Sequence, residues 1–184
     1  MEQQIDLWFK PWTYTHSSWT MGSIFEGLSN KELYSGYVPW CKHVGIEYHF
    51  SAYQSIWLEQ FWLEDEQQLI LAICLLGNML YKQKDSIVTP AYLRWVQQTA
   101  LARPIILHTP NIRFKSNFEA GINLLYQVLQ CYCPFVWTRF LLKFPKEMIE
   151  NINIFDEPII KGKMILVIEK IWNLILKKIN NFNL

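Results

Sequence analysis

The longest apolar run in this chain lies from Leu69 to Leu76, inside the stretch EDEQQLILAICLLGNMLY between Glu64 and Tyr81. Its apolar residues cover every side of a helix, and such a helix must be enclosed by other elements instead of resting against one. The pattern therefore predicts a central buried helix at about 65–81. Glu64, Asp65 and Glu66 fall at its amino end, where carboxylates complement free N–H groups and the positive end of the helix dipole. Neighbours in a first turn point different ways, so the trio reads as a helix start and not as a catalytic cluster. The run is shorter than the roughly 20 apolar residues that a membrane span needs, and Asn78 interrupts its end. Gly77 is expected to let a crossing helix approach closely, against a propensity cost of about 1 kcal/mol.

Before this helix, residues 7–20 (LWFKPWTYTHSSWT) fit neither helical nor strand spacing, and Pro11 breaks any helix that forms. An aromatic-rich segment over 1–22, irregular or briefly helical and pinned by its rings, is expected. Ser29 and Glu32 have capping-box spacing, but Gly36 and Pro39 keep the helix they start short. A second helix is expected from Ser51 to Leu63, with Ser51 as cap and Ile56, Trp57, Phe61 and Trp62 turned inward.

After the core helix, the polar turn KQKDS leads to Thr89 and Pro90, a cap followed by proline at the first helical position. A helix to about Ala102 follows, with Tyr92, Leu93, Trp95, Val96 and Ala100 opposite Arg94, Gln97 and Gln98. Pro104 and Pro110 bracket IILHT, an extended link or a lone short strand. Ser116 and Glu119 make a second capping-box pair, and Phe118, Ile122, Leu125, Val128, Leu129 and Tyr132 then repeat at three and four residues. That spacing assigns Glu119, Asn123, Gln127 and Gln130 to the wet side. Pro134 ends this helix and opens the next, which carries Arg139 and Lys143 until Pro145 stops it. The polar stretch KEMIENIN then leads to an amphipathic C-terminal helix at about 163–179. Its face of Ile165, Ile168, Ile171, Trp172, Ile175 and Ile179 is expected to dock on its own domain, with contact to an anionic membrane as the alternative.

The predicted class is all-α: a single compact multi-helix domain over 1–184, undivided by any Gly/Ser/Pro-rich linker or charge block. Hydrophobic residues are 51% and charged residues 18% of the chain, so it is poor in the surface charge that keeps a monomer solitary. Rings beyond what one core encloses suit a partner surface; the alternative is a large aromatic core. A net charge of +1 gives no footprint for nucleic acid, and none is expected to bind. Glu2 and Asp6 come before any apolar run, which argues against a signal peptide and for a cytoplasmic location.

Candidate chemistry is thin. Cys41 with His43, and Cys131 with Cys133, are separated by one residue each, where zinc pairs usually leave two or more. Residues two apart on a helix point to nearly opposite sides, so no metal is expected, only buried thiols and a surface histidine. No Gly-rich phosphate loop, nucleophile elbow or HExxH pair is present, and His16 beside Ser17 and Ser18 is adjacency without a triad. No catalytic residue, cofactor or enzyme activity is expected.

Three stretches carry a resemblance. The first is F-x-P-x-x-Y-x-H, met by Phe9, Pro11, Tyr14 and His16. The second is the core helix with Leu76, Gly77 and Leu80 after the LILAIC run. The third is a helix entered through Gly121 and followed by an aromatic, basic segment closing at Arg139, Lys143, Phe144 and Pro145. In this order the chain resembles the SctK (YscK) family of type III secretion sorting-platform proteins over residues 9–145. Tyr81 stands where the family often has histidine, and Trp137 is one residue away from the family's tryptophan. The resemblance implies a noncatalytic cytosolic adaptor at the cytoplasmic face of the bacterial inner membrane, held there through partners without direct membrane insertion. Those partners are the cytoplasmic domain of the ring protein SctD and the pod protein SctQ, and indirectly SctL and the secretion ATPase. A type III secretion chaperone for an export substrate is the alternative. Trp8, Trp12 and Trp19 are candidate anchors of one partner surface, or else pack on their own domain. Arg139 and Lys143 are candidates for an electrostatic contact, or else form a solvated face.

Overall fold

The computed structural model describes residues 8–48, 65–81, 87–108 and 112–182, and every α or 3-10 element among them is helical, with no strand. In chain order the helices are α1 (Asn30–Ser35), α2 (Tyr37–Val44), α3 (Glu66–Asn78), α4 (Pro90–Ala102), α5 (Asn117–Tyr132), α6 (Trp137–Leu141), α7 (Lys146–Glu150) and α8 (Gly162–Phe182). Short 3-10 turns at Pro11–Thr13, Ser17–Trp19 and Pro134–Val136 accompany them. The helix expected over Ser51–Leu63 lies outside the described residues. Two compact units are formed: Met1–Trp62 with Cys133–Ile152, and Leu63–Tyr132 with Asn153–Leu184.

In the first unit the expected capping box is present: Ser29 Oγ accepts from the Glu32 N–H, and the Glu32 carboxylate accepts from the Ser29 N–H at 2.8 Å. These hydrogen bonds to Ser29, first from its hydroxyl, hold the Glu32 carboxyl below its ordinary value. Helix α1 ends at Gly36, but Pro39 does not stop the chain. It sits in the first turn of α2, where its missing N–H had no intrahelical acceptor. The polar stretch after Pro145 also forms a helix, α7, which the sequence reading lacked. Trp40, Cys41 and Leu142 are buried at the centre of the unit, with Trp12, Tyr14, Trp19 and Tyr37 packed around them.

The second unit is built on α3. Asp65 caps it by accepting the Gln68 N–H at 2.9 Å, and Leu69 and Ala72–Met79 are buried between α5, α8 and α4. Two glycines allow the central crossing. A methyl group on Gly77 would lie 1.8 Å from the Asn117 carbonyl oxygen, and one on Gly121 would lie 2.1 Å from that of Ile73. Each helix therefore seats its backbone in the other's notch. Thr89 and Pro90 open α4 as expected, although the Thr89 side chain makes no capping bond. Ile168, Ile171, Trp172, Ile175 and Ile179 bury the expected face of α8. The described part of IILHT, residues 105–108, is a link and not a strand, tied by the His108 N–H to the Ile159 carbonyl at 2.7 Å.

The polar face assigned to α5 is overturned. Glu119, Asn123 and Gln127 are 3%, 0% and 8% exposed, while Gln130 alone of the four faces solvent. The three form a ladder along one ridge of α5 that holds the main chain of Asn153–Ile159. Glu119 Oε1 accepts the Asn153 N–H, and Asn123 donates to the Asn153 carbonyl while accepting the Phe155 N–H. Gln127 donates to the Phe155 and Glu157 carbonyls and accepts the Ile159 N–H. The match is metric: four helical residues rise about 6 Å, and two extended residues span about 6.6 Å. The ridge thus takes the place of a neighbouring strand.

Candidate functional site

The first motif stretch and the basic, closing part of the third meet in the first unit. Arg139 is 1% exposed, and its guanidinium carbon lies 4.2 Å from the centre of the Trp8 ring, itself 1% exposed. Arg139 Nη2 donates to the Glu47 carbonyl, and the same side chain hydrogen-bonds the Tyr14 and Tyr37 hydroxyls. Tyr37 donates in turn to the Trp8 carbonyl at 2.7 Å. A buried guanidinium loses hydration, which this stacking and planar donor fork offset. Burial pushes the Tyr14 phenol well above the ordinary tyrosine range, with Arg139 opposing the shift. Its ring is half-buried, and its hydroxyl end lies against the interior cation.

The remaining ties are main-chain captures. His16 N–H donates to the Leu142 carbonyl at 2.7 Å, Trp19 Nε1 donates to the Phe144 carbonyl at 2.8 Å, and the Lys146 N–H donates to Ser18 Oγ at 2.8 Å. The Trp19 bond joins residues 125 apart in sequence. Pro11 is buried and Phe9 stands 40% exposed against Tyr37.

The candidate site residues therefore differ in position. Trp8 and Arg139 are interior, and Lys143 is 8% exposed, so neither basic residue stands on a solvated face. Trp12 and Trp19 are half-buried. Trp12 donates to Asn30 Oδ1 at 3.0 Å and meets Tyr34, Tyr37 and Trp40 edge-on. Leu76, Gly77 and Gly121 lie in the second unit at the α3–α5 crossing, with Leu80 half-buried just after α3. Pro145 caps α7.

Among the described residues of the first unit, the most exposed apolar side chains are ones that the sequence did not single out. Met21 and Ile24 are 69% and 82% exposed on the loop between the second 3-10 turn and α1. Gly22 and Gly27 hold that loop in left-handed conformations, and Phe25 anchors it in the core. Two glycines bracketing Ile24 and Phe25, with Met21 just before the first, were the available signal. The second unit exposes Leu101 and Ile106, at 83% and 64%. Beside Leu101 is an apolar groove of about 490 Å³ that includes Met79, Ala100 and Pro104. Cys131 is exposed, against expectation, whereas Cys41, Cys74 and Cys133 are buried.

Among the described residues no group of three or more His, Cys, Asp or Glu side chains is arranged to hold a metal ion, and no helix is long and apolar enough to cross a membrane. The arrangement is one of interlocked rings and captured main chain that presents exposed apolar residues on each unit. Comparison with known proteins gives no match to any family model, curated protein or solved structure.

Proposed function

We propose that this chain is a noncatalytic adaptor of the bacterial type III secretion sorting platform, joining the cytoplasmic domain of SctD to the pod protein SctQ and, through it, to SctL and the ATPase. The observation that carries the reading is the pairing of the motif stretches. Tyr14 and His16 bond to Arg139 and the Leu142 carbonyl in one unit, while Gly77 and Gly121 form the crossing in the other. Tyr14, His16, Arg139, Gly77 and Gly121, all within those stretches, thus help to hold each unit together. Exposed Met21 and Ile24 on one unit, and Leu101 and Ile106 on the other, support a role in joining two partners. In this reading half-exposed Trp12 and Trp19 are anchors of one partner surface, and Trp8 with Arg139 braces it from within.

Binding assays with purified SctD cytoplasmic domain and SctQ test the proposal. The protein is expected to bind both. Ile24→Asp is expected to weaken one of the two by about tenfold or more, as loss of an apolar anchor does, with an unchanged circular dichroism spectrum. If the folded protein binds neither partner, the reading fails, and a stable complex with an export substrate would favour a chaperone.

A further inference from the structure

The stretch Asn153–Leu184 belongs to the second unit but is joined covalently to the first, because the chain passes from one to the other between Ile152 and Asn153. On the near side, the Ile152 N–H donates to the Ile149 carbonyl and Asn151 Nδ2 to the Glu147 carbonyl, both within the first unit. On the far side, Asn153 is already on the α5 ladder. The hydrogen bonds of the ladder reach main-chain groups, at every second residue from Asn153 to Ile159. The side chains of Asn153, Asp156, Glu157 and Pro158 face solvent, and α8 follows with its apolar face buried. These contacts hold the arm wherever its amino end leads.

We propose that the α5 ladder, with the α3–α5 surface beside it, also accepts the arm of a second copy, so that two chains exchange Asn153–Leu184. Exchange reforms every contact of the arm within the second unit, and the chain changes its path around Asn151 and Ile152. The second copy is the occupant that the contacts favour. A foreign extended peptide satisfies the ladder but lacks the buried Ile159 and Ile160 and the helix that starts two residues later. This inference is independent of the proposed function.

Tyr126 on α5 and Asp156 on the arm provide the test, since the Tyr126 hydroxyl donates to Asp156 Oδ1 at 2.9 Å. In a Cys131→Ser background, full-length chains carrying Tyr126→Cys are mixed with chains carrying Asp156→Cys. The mixture is taken through mild urea and back, then treated with a short bis-maleimide. A chain carrying both cysteines reports whether the linker spans the pair when the arm stays at home. Exchange predicts a covalent product of twice the 22.0 kDa chain mass, containing one chain of each kind and increasing with concentration. Cross-linking confined to the doubly substituted chain, with the mixture remaining at monomer mass, overturns the proposal. So does a dimer in solution that the linker fails to trap, because its contact lies elsewhere. A synthetic peptide of scrambled 152–161 sequence that suppresses the intrachain link as well as the authentic peptide does would assign the ladder to any extended peptide and likewise overturn exchange.

Discussion

Asn123 is the middle rung of the α5 ladder, and its amide serves two peptide groups of the arm at once. Asn123→Ala leaves the Asn153 carbonyl and Phe155 N–H without their partner, and each such loss costs about 1–3 kcal/mol. A fall in stability on the order of 3 kcal/mol is expected, read as a lower urea midpoint. The pattern of residues misled here for a physical reason. An amide at a polar helical position finds water in the commonest case, and its real partner lies 30 residues away in a segment with no periodic signal. Arg139 was misread in the same way, since its neighbours Trp8 and Tyr14 come from the other end of the chain. Cys133 allows a further test. Burial pushes its thiol from 9.0 up to about 11, so the neutral form is favoured by folding. That contribution is full below pH 9.0 and is lost as pH rises through about 11. Alkylation followed by mass spectrometry at pH 9 is therefore expected to label exposed Cys131 first and leave Cys133 unreacted.

At the scale of elements, the α3–α5 crossing is where pattern and structure agree best. The all-round apolar run announced an enclosed helix, and the missing side chain at Gly77 announced a close approach. The reciprocal notch at Gly121 was visible only as a small residue in a motif, because nothing local to α5 says which carbonyl it meets. Gly77→Ala places a methyl group against backbone that no rotamer change relieves, so the helices must separate. Overpacking of this kind costs about 1–3 kcal/mol and at times more. Gly77→Ala and Gly121→Ala are each expected to fall at or above that upper value by denaturant unfolding. The double variant is expected to lose less than the sum, since one separation of the helices relieves both clashes. The helix begun at Ser29 is short and ends at Gly36, as its sequence implies, whereas Pro39 falls in the first turn of a new helix, a position that composition does not reveal.

At the scale of the molecule, neither unit is a continuous stretch, since the chain passes between them after Trp62, Tyr132 and Ile152. This division left no mark in composition: the passage after Tyr132 runs from a helix end into a 3-10 turn with no linker between them. Splitting the chain at the last passage, as coexpressed 1–152 and 153–184, is expected to give two polypeptides that copurify with the helical content of the intact protein. Failure of the pieces to associate would show that the peptide bond after Ile152 contributes more than the arm's own contacts. The ladder also sets how freely each part of the sequence can change. A segment gripped by its peptide groups is largely free in its spelling: Asn153, Glu157 and Pro158 can be rewritten while the grip persists. Glu119, Asn123 and Gln127 have no such latitude. Over long divergence the memory of this fold is therefore kept on the helix and can be erased from the strap without any change in how the chain folds.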